Sequence, residues 1–198
     1  MKYLVCVCAA AALLTACGQK KEEPPAPNDE QATATPSAPP VTEPEPAPSA
    51  SVQLASTQGN TATGNLTVVT MGDGVHFTGT LQGLKPDSEF GFHVHEKGDC
   101  SAPDASSAGG HFNPAGVEHG NPQSQPHHAG DMPNAKSDAQ GNAEVNAHVS
   151  GLTLSDGGPN DIIGKAVVLH EKADDYKTQP SGNSGARIAC GVVTAGGM

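Results

Sequence analysis

The chain predicts an all-β fold, an antiparallel sandwich or barrel of about eight short strands with two long loops. Three observations carry this. Seven short segments are β-branched or alternate apolar with polar residues, turn signals separate several of them, and no stretch has the period of an amphipathic helix. The segments are 52–55, 65–71, 75–82, 90–96, 143–149, 165–170 and 188–194. Gly72-Asp73-Gly74 turns the chain between the second and third, Lys85-Pro86-Asp87 precedes the fourth, and Asp138-Ala139-Gln140-Gly141-Asn142 precedes the fifth. Alternation sorts the histidines. His76 stands between Val75 and Phe77, and His148 between Ala147 and Val149, so both are expected to face solvent. In 90–96, His93 and His95 share one face while Phe92 and Val94 share the other. Taken alone, that pair reads equally as two solvated histidines or as two ligands.

The 198 residues suffice for one domain with a core and a remainder. The formal charge is −11, and residues 51–198 carry seven basic against fifteen acidic side chains. That balance argues against nucleic acid or an anionic lipid surface as partner. It leaves a small anion open, because local positive charge can override the net field.

The N-terminus has the layout of a secretory leader, residues 1–16. Lys2 precedes an apolar run from Tyr3 to Leu14 that is too short to span a membrane as a mature helix. Leu14-Thr15-Ala16-Cys17 resembles the bacterial lipobox, which implies cleavage before Cys17 and lipidation of that cysteine. Gly18 follows rather than Asp, pointing to the outer membrane and periplasm of a cell envelope. Residues 19–50 hold nine prolines and no apolar periodicity, so 17–50 reads as a lipidated terminus and extended tether, and 51–198 as the globular domain. After export, Cys100 and Cys190 remain, most simply as one disulfide.

Residues 98–136 show neither strand nor helix period, and 171–186 is a shorter stretch of the same kind. A compact domain rarely carries so long a loop unless it is functional or pinned. The loop contains His111, His119, His127, His128 and Asp131, and segment 165–170 ends in His170. Imidazoles suit copper and zinc, and a carboxylate adds a ligand zinc accepts. Bound metal would also hold an irregular loop in place.

The series GFHVHEKGDC, GGHFNPAGVEHG, HHAGD, VVLHEKADD and SGARIACG resembles copper–zinc superoxide dismutase over about residues 55–196. His111 precedes His119 by eight residues, His119 precedes His128 by nine, and His128 precedes Asp131 by three. The resemblance implies a Greek-key β-barrel or sandwich. It implies copper on His93, His95, His111 and His170, and zinc on His111, His119, His128 and Asp131, with His111 shared. Asp174 would link His93 to His119, Cys100 and Cys190 would form the family's disulfide, and Arg187 would be the arginine beside copper. His127 matches no ligand and reads as an exposed neighbour or a weak extra contact.

The implied activity is dismutation of superoxide by one copper and one zinc per chain, protecting the envelope. The alternative is a non-catalytic periplasmic copper or zinc store on the same fold. Family members occur as monomers and as dimers of two geometries, so a homodimer is one expected state. Two departures are visible. The segment from His170 to Arg187 is shorter than in the animal enzymes and lacks their lysine before the arginine; Pro180 stands near its place, with Lys177 the nearest substitute. The span from Cys100 to His111 is longer, as in bacterial forms.

Overall fold

The computed structural model describes residues 48–196. The expected leader, Cys17 and the tether up to residue 47 lie outside the described residues. Among these residues there are nine strands: β1 Ser49–Ser56, β2 Thr63–Met71, β3 Gly74–Gln82, β4 Glu89–Phe90, β5 Phe92–His95, β6 Ala135–Lys136, β7 Ala143–Ser150, β8 Ala166–His170 and β9 Arg187–Ala195. Seven join one antiparallel sheet in the order β5-β8-β9-β1-β2-β3-β7, and β4 pairs with β6. The sheet curls into a half-barrel. The chain leaves β3 for β5 at the far edge, returns to β7 beside β3, then crosses again to β8, so consecutive strands repeatedly sit at opposite edges.

Alternation builds the core as the sequence predicts. In β7, AEVNAHVS, every second side chain is buried, and β1 and β2 alternate similarly. Val52, Leu54, Leu66, Val68, Val75, Phe77, Leu81 and Val149 fill the interior with Phe92, Val94, Val167 and Leu169. His148 is exposed and donates toward Asp73 at 2.9 Å, while His76 is half-buried beside it, a ring-to-ring distance of 6.3 Å.

Most strand ends move by one or two residues, and two differences have a visible cause. β1 takes in Ser49 and Ala50, which the sequence reading leaves in the tether, because Ser49 pairs with Val69 and Ala50 with both Val68 and Ala195. Segment 90–96 is not one strand. It breaks at Gly91, whose N–H donates to the Lys172 carbonyl at 2.7 Å and whose carbonyl accepts the His170 N–H at 2.8 Å.

β5 and β8 are buried on both faces. One face packs on the core. The other carries His93, His95, Ala166, Val168 and His170, given the register His93↔Val168 and His95↔Ala166. The long loop roofs that outer face: Ala105 and Ala108 pack on Ala166, Val168 and Cys190. The Cys100–Cys190 disulfide ties the roof to β9 across 90 residues. A closed loop of that length contributes about 4 kcal/mol by restricting the unfolded chain.

Candidate metal centre

The solvated reading of the His-x-His pair does not hold, since His93 and His95 are 0% and 1% exposed. β5 is an edge strand of the large sheet, and the long loop satisfies its free edge. Val94 N–H donates to Gly130 O at 2.9 Å, Phe112 N–H to Val94 O at 2.8 Å, and Glu96 N–H to Gly110 O at 2.9 Å. These contacts place His111 opposite His95 and Asp131 opposite His93. Gly130 is required there, because a Cβ would collide with the Val94 carbonyl oxygen. His111 and Asp131 are each followed by an apolar anchor in the core, Phe112 and Met132.

Two buried groups result. One is His93, His95, His111 and His170; the other is His111, His119, His128 and Asp131; in each, the donor atoms lie within 4.8 Å of one another. His111 belongs to both. The hydrogen bonds decide which ring nitrogen faces inward. His95 Nδ1 lies 2.9 Å from the Gly109 carbonyl and His170 Nδ1 lies 3.1 Å from the Gly185 carbonyl. A carbonyl only accepts, so both Nδ1 atoms carry the proton and both Nε2 atoms face each other at 3.4 Å. His93 Nε2 donates to Asp174 Oδ2 at 2.7 Å, leaving its Nδ1 buried without a partner, as is His111 Nε2.

In the second group three Nδ1 atoms surround one oxygen. Asp131 Oδ1 lies 2.8 Å from that of His111, 3.0 Å from that of His119 and 3.4 Å from that of His128. Its Oδ2 accepts the His128 N–H at 2.8 Å and the Gly120 N–H at 3.1 Å. His119 Nε2 donates to Asp174 Oδ1 at 3.0 Å, so Asp174 joins the two groups through His93 and His119. Buried nitrogens without partners are costly, and here they converge. A metal ion in each group satisfies them, so the residues present fit copper or zinc.

Burial sets the charge states. It pushes His170 down to about 3 and His111 to about 4, the latter against the pull of Asp131, so both rings are neutral at neutral pH, as ligation requires. His119 goes the other way. Burial opposes its charge, but the Asp131 and Asp174 carboxylates outweigh it and raise it to about 9. Metal uptake therefore displaces a proton there. Burial also opposes ionisation of Asp131, yet the three imidazoles hold it far below the usual carboxylate range.

Arg187 opens β9 opposite His170, after a register shift between Leu169 and His170. It is half-buried, with Nη1 donating to Ala105 O and Nη2 to Gly109 O, both at 2.6 Å. The Gly109 carbonyl thus receives both Arg187 and His95. Burial lowers the guanidinium's proton affinity, and Asp104 partly restores it. His127 lies outside both groups; its Nδ1 donates to its neighbour's carbonyl, His128 O, at 2.7 Å. Lys177 is exposed, its backbone N–H bound to Asp175. Sequence reading missed Asn134, Tyr176 and Gln179, which bond to Asp174 and His119 through the backbone. No spacing or residue-type signal marks them.

An antiparallel half-barrel with two buried candidate ligand sets sharing one histidine defines a metal-binding protein. The sequence profile of copper/zinc superoxide dismutase (SODC) matches residues 62–193. The chain belongs to that family. It is 42% identical over 147 residues to superoxide dismutase [Cu-Zn] 2 of Aquifex aeolicus, covering 73% of this chain and 85% of that one. It is 48% identical over 113 residues to the superoxide dismutase-like protein YojM of Bacillus subtilis, covering 56% of this chain and 58% of that protein. The crystal structure of a SOD-like protein from Bacillus subtilis matches with a TM-score of 0.65 at 42% identity, over 72% of this chain and 96% of that one.

Proposed function

We propose that the chain is an enzyme that converts two superoxide anions and two protons into dioxygen and hydrogen peroxide, one superoxide being oxidised and the other reduced. Copper is assigned to His93 Nδ1 and the Nε2 atoms of His95, His111 and His170. Zinc is assigned to the Nδ1 atoms of His111, His119 and His128 and to Asp131. When bound, copper supplies one-electron redox chemistry and zinc a fixed positive charge without redox change.

The chain's residues supply the rest. Arg187 gives an acidic domain a local positive charge for an anionic substrate. Its bonds to Ala105 and Gly109 use two of its five N–H groups and hold the guanidinium in place, so the others remain for the substrate. His111 Nε2 can hold a proton while Nδ1 stays on the Asp131 side, which places a proton donor beside the reduced substrate. One observation carries the reading: two buried ligand sets share His111.

The test is metal content and superoxide consumption measured on one purified sample of the chain. One copper and one zinc per chain with catalytic consumption supports the enzyme. Both metals without consumption supports the second reading, a copper or zinc store. The second reading is favoured by the 48% identity to a protein named dismutase-like. We further propose that Cys17 carries lipid and anchors the domain at the outer membrane. Replacing Cys17 with Ser then abolishes labelling by a radioactive fatty acid; persistent labelling refutes the anchor.

A further inference from the structure

We propose that Gln179 and Asn134 are positioning residues whose side-chain amides clasp the two long loops together and set how firmly the His111–His119–His128–Asp131 pocket retains its metal. The inference rests on the zinc assignment above.

Each amide grips the backbone of one residue from both sides. Gln179 Oε1 accepts the His119 N–H at 2.9 Å, and Gln179 Nε2 donates to the His119 carbonyl at 2.8 Å. Asn134 Oδ1 accepts the Asp174 N–H at 2.9 Å, and Asn134 Nδ2 donates to the Asp174 carbonyl at 3.0 Å. A carboxamide offers one acceptor and a donor in the arrangement of a peptide group, so each serves as a strand partner would. The arrangement is reciprocal. Gln179, on loop 171–186, holds a ligand of the first loop; Asn134, three residues after the ligand Asp131, holds the carboxylate residue of the second.

The surroundings close around this pair. The Tyr176 N–H donates to Asp174 Oδ1 at 2.6 Å, and the Tyr176 hydroxyl accepts the Asn134 N–H at 2.8 Å. Gly182, at φ +65°, leaves the space in which Asp174 sits; a Cβ there would overlap Asp174 Oδ1 and press on His119 Nε2. His119 is therefore held through its ring by Asp174 and Asp131 and through its backbone by Gln179. It needs both, because it lies in a stretch with no strand or helix of its own. Neither amide touches a ligand nitrogen, so each acts through His119 or Asp174 and not as a ligand. Both are uncharged, so they hold the loops without competing with Asp131 or Asp174 for the imidazoles.

The test follows zinc release from the metal-loaded full chain into the chromogenic chelator 4-(2-pyridylazo)resorcinol at neutral pH. Gln179→Met and Asn134→Leu keep side-chain volume and remove both bonds; each is expected to release zinc about tenfold faster. Gln179→Glu keeps the acceptor and loses the donor, and is expected to fall between. Cobalt(II) placed in the same pocket should show altered visible bands in the first two variants. Combining Gln179→Met with Asp174→Asn should give less than the product of the single effects, because both act on His119. Wild-type release rates and cobalt bands in folded variants overturn the proposal. So does faster release that multiplies across the pair and only tracks a lower unfolding temperature, which marks general destabilisation. If the wild-type chain takes up no zinc, the zinc assignment falls and the proposal with it. Normal uptake with unchanged variants overturns the proposal alone.

Discussion

Three of the four residues in the all-histidine pocket, His93, His95 and His170, sit on strands, whereas all four in the carboxylate pocket come from the loop between residues 111 and 131. The two sets are also oriented by largely different partners. Backbone carbonyls of Gly109 and Gly185 fix His95 and His170, and only His93 of that set leans on a carboxylate, Asp174; Asp131 and Asp174, both side chains, fix His119. The first set inherits its geometry from the packing of β5 and β8 on the core. The second has to be held by its own contacts. A pocket of the first kind should tolerate loss of a neighbouring charge; one of the second kind should not.

Substituting Asp131→Asn tests this most severely. It removes the charge around which three imidazoles gather, and zinc affinity should fall more than about a hundredfold, beyond the loss usual for a residue that only orients a ligand. Copper uptake, titrated separately, should change far less; equal losses for both metals would break the contrast. Asp174→Asn comes next. It loosens His119 and His93 together, and roughly a tenfold to hundredfold loss of zinc affinity is expected with a smaller loss for copper. A competition titration with each metal measures both. For Arg187→Ala we expect roughly a tenfold lower kcat/KM and a weaker dependence on ionic strength, with metal content unchanged. A salt series on the loaded protein reads this directly, and an unaltered slope would remove Arg187 from substrate attraction.

The mildest effect is on the pH dependence of the metal-free protein. His170 and His111 titrate at about 3 and about 4 in the fold, against about 6.5 unfolded. The unfolded chain binds their protons first, so stability falls as pH drops from about 6.5 toward 3. His119, raised to about 9, binds its proton more tightly in the fold, so its contribution is full below about 6.5 and is lost as pH rises toward 9. Urea midpoints across pH should therefore show an acid limb to which the strand-borne set contributes and an alkaline limb from the loop-borne set. His119→Phe should flatten the alkaline limb most.

The strands were legible because burial on one face leaves a period of two, as in β7. The candidate ligands were legible because metal chemistry restricts residue type, so His93, His95, His111 and Asp131 stand out. Alternation alone left the His93–His95 pair ambiguous, since nothing in β5 reveals that a loop covers its outer face. Gln179 and Asn134 left no trace at all. Their bonds run side chain to backbone across 60 and 40 residues, and a glutamine in a polar loop looks like any other. The break at Gly91 was hidden for a similar reason, because it is imposed by backbone partners at His170 and Lys172.

The Gly109 carbonyl accepts both Arg187 and His95, and its residue sits at φ +74°, a backbone conformation that strains any other side chain. In evolutionary terms the two side chains share one adjustable part. A sequence change that shifts this carbonyl moves the Arg187 guanidinium and the His95 imidazole in a single step. Under the proposed function, anion capture and redox behaviour are therefore coupled through residues 105–109. Divergence in one trait along that stretch should be accompanied by divergence in the other.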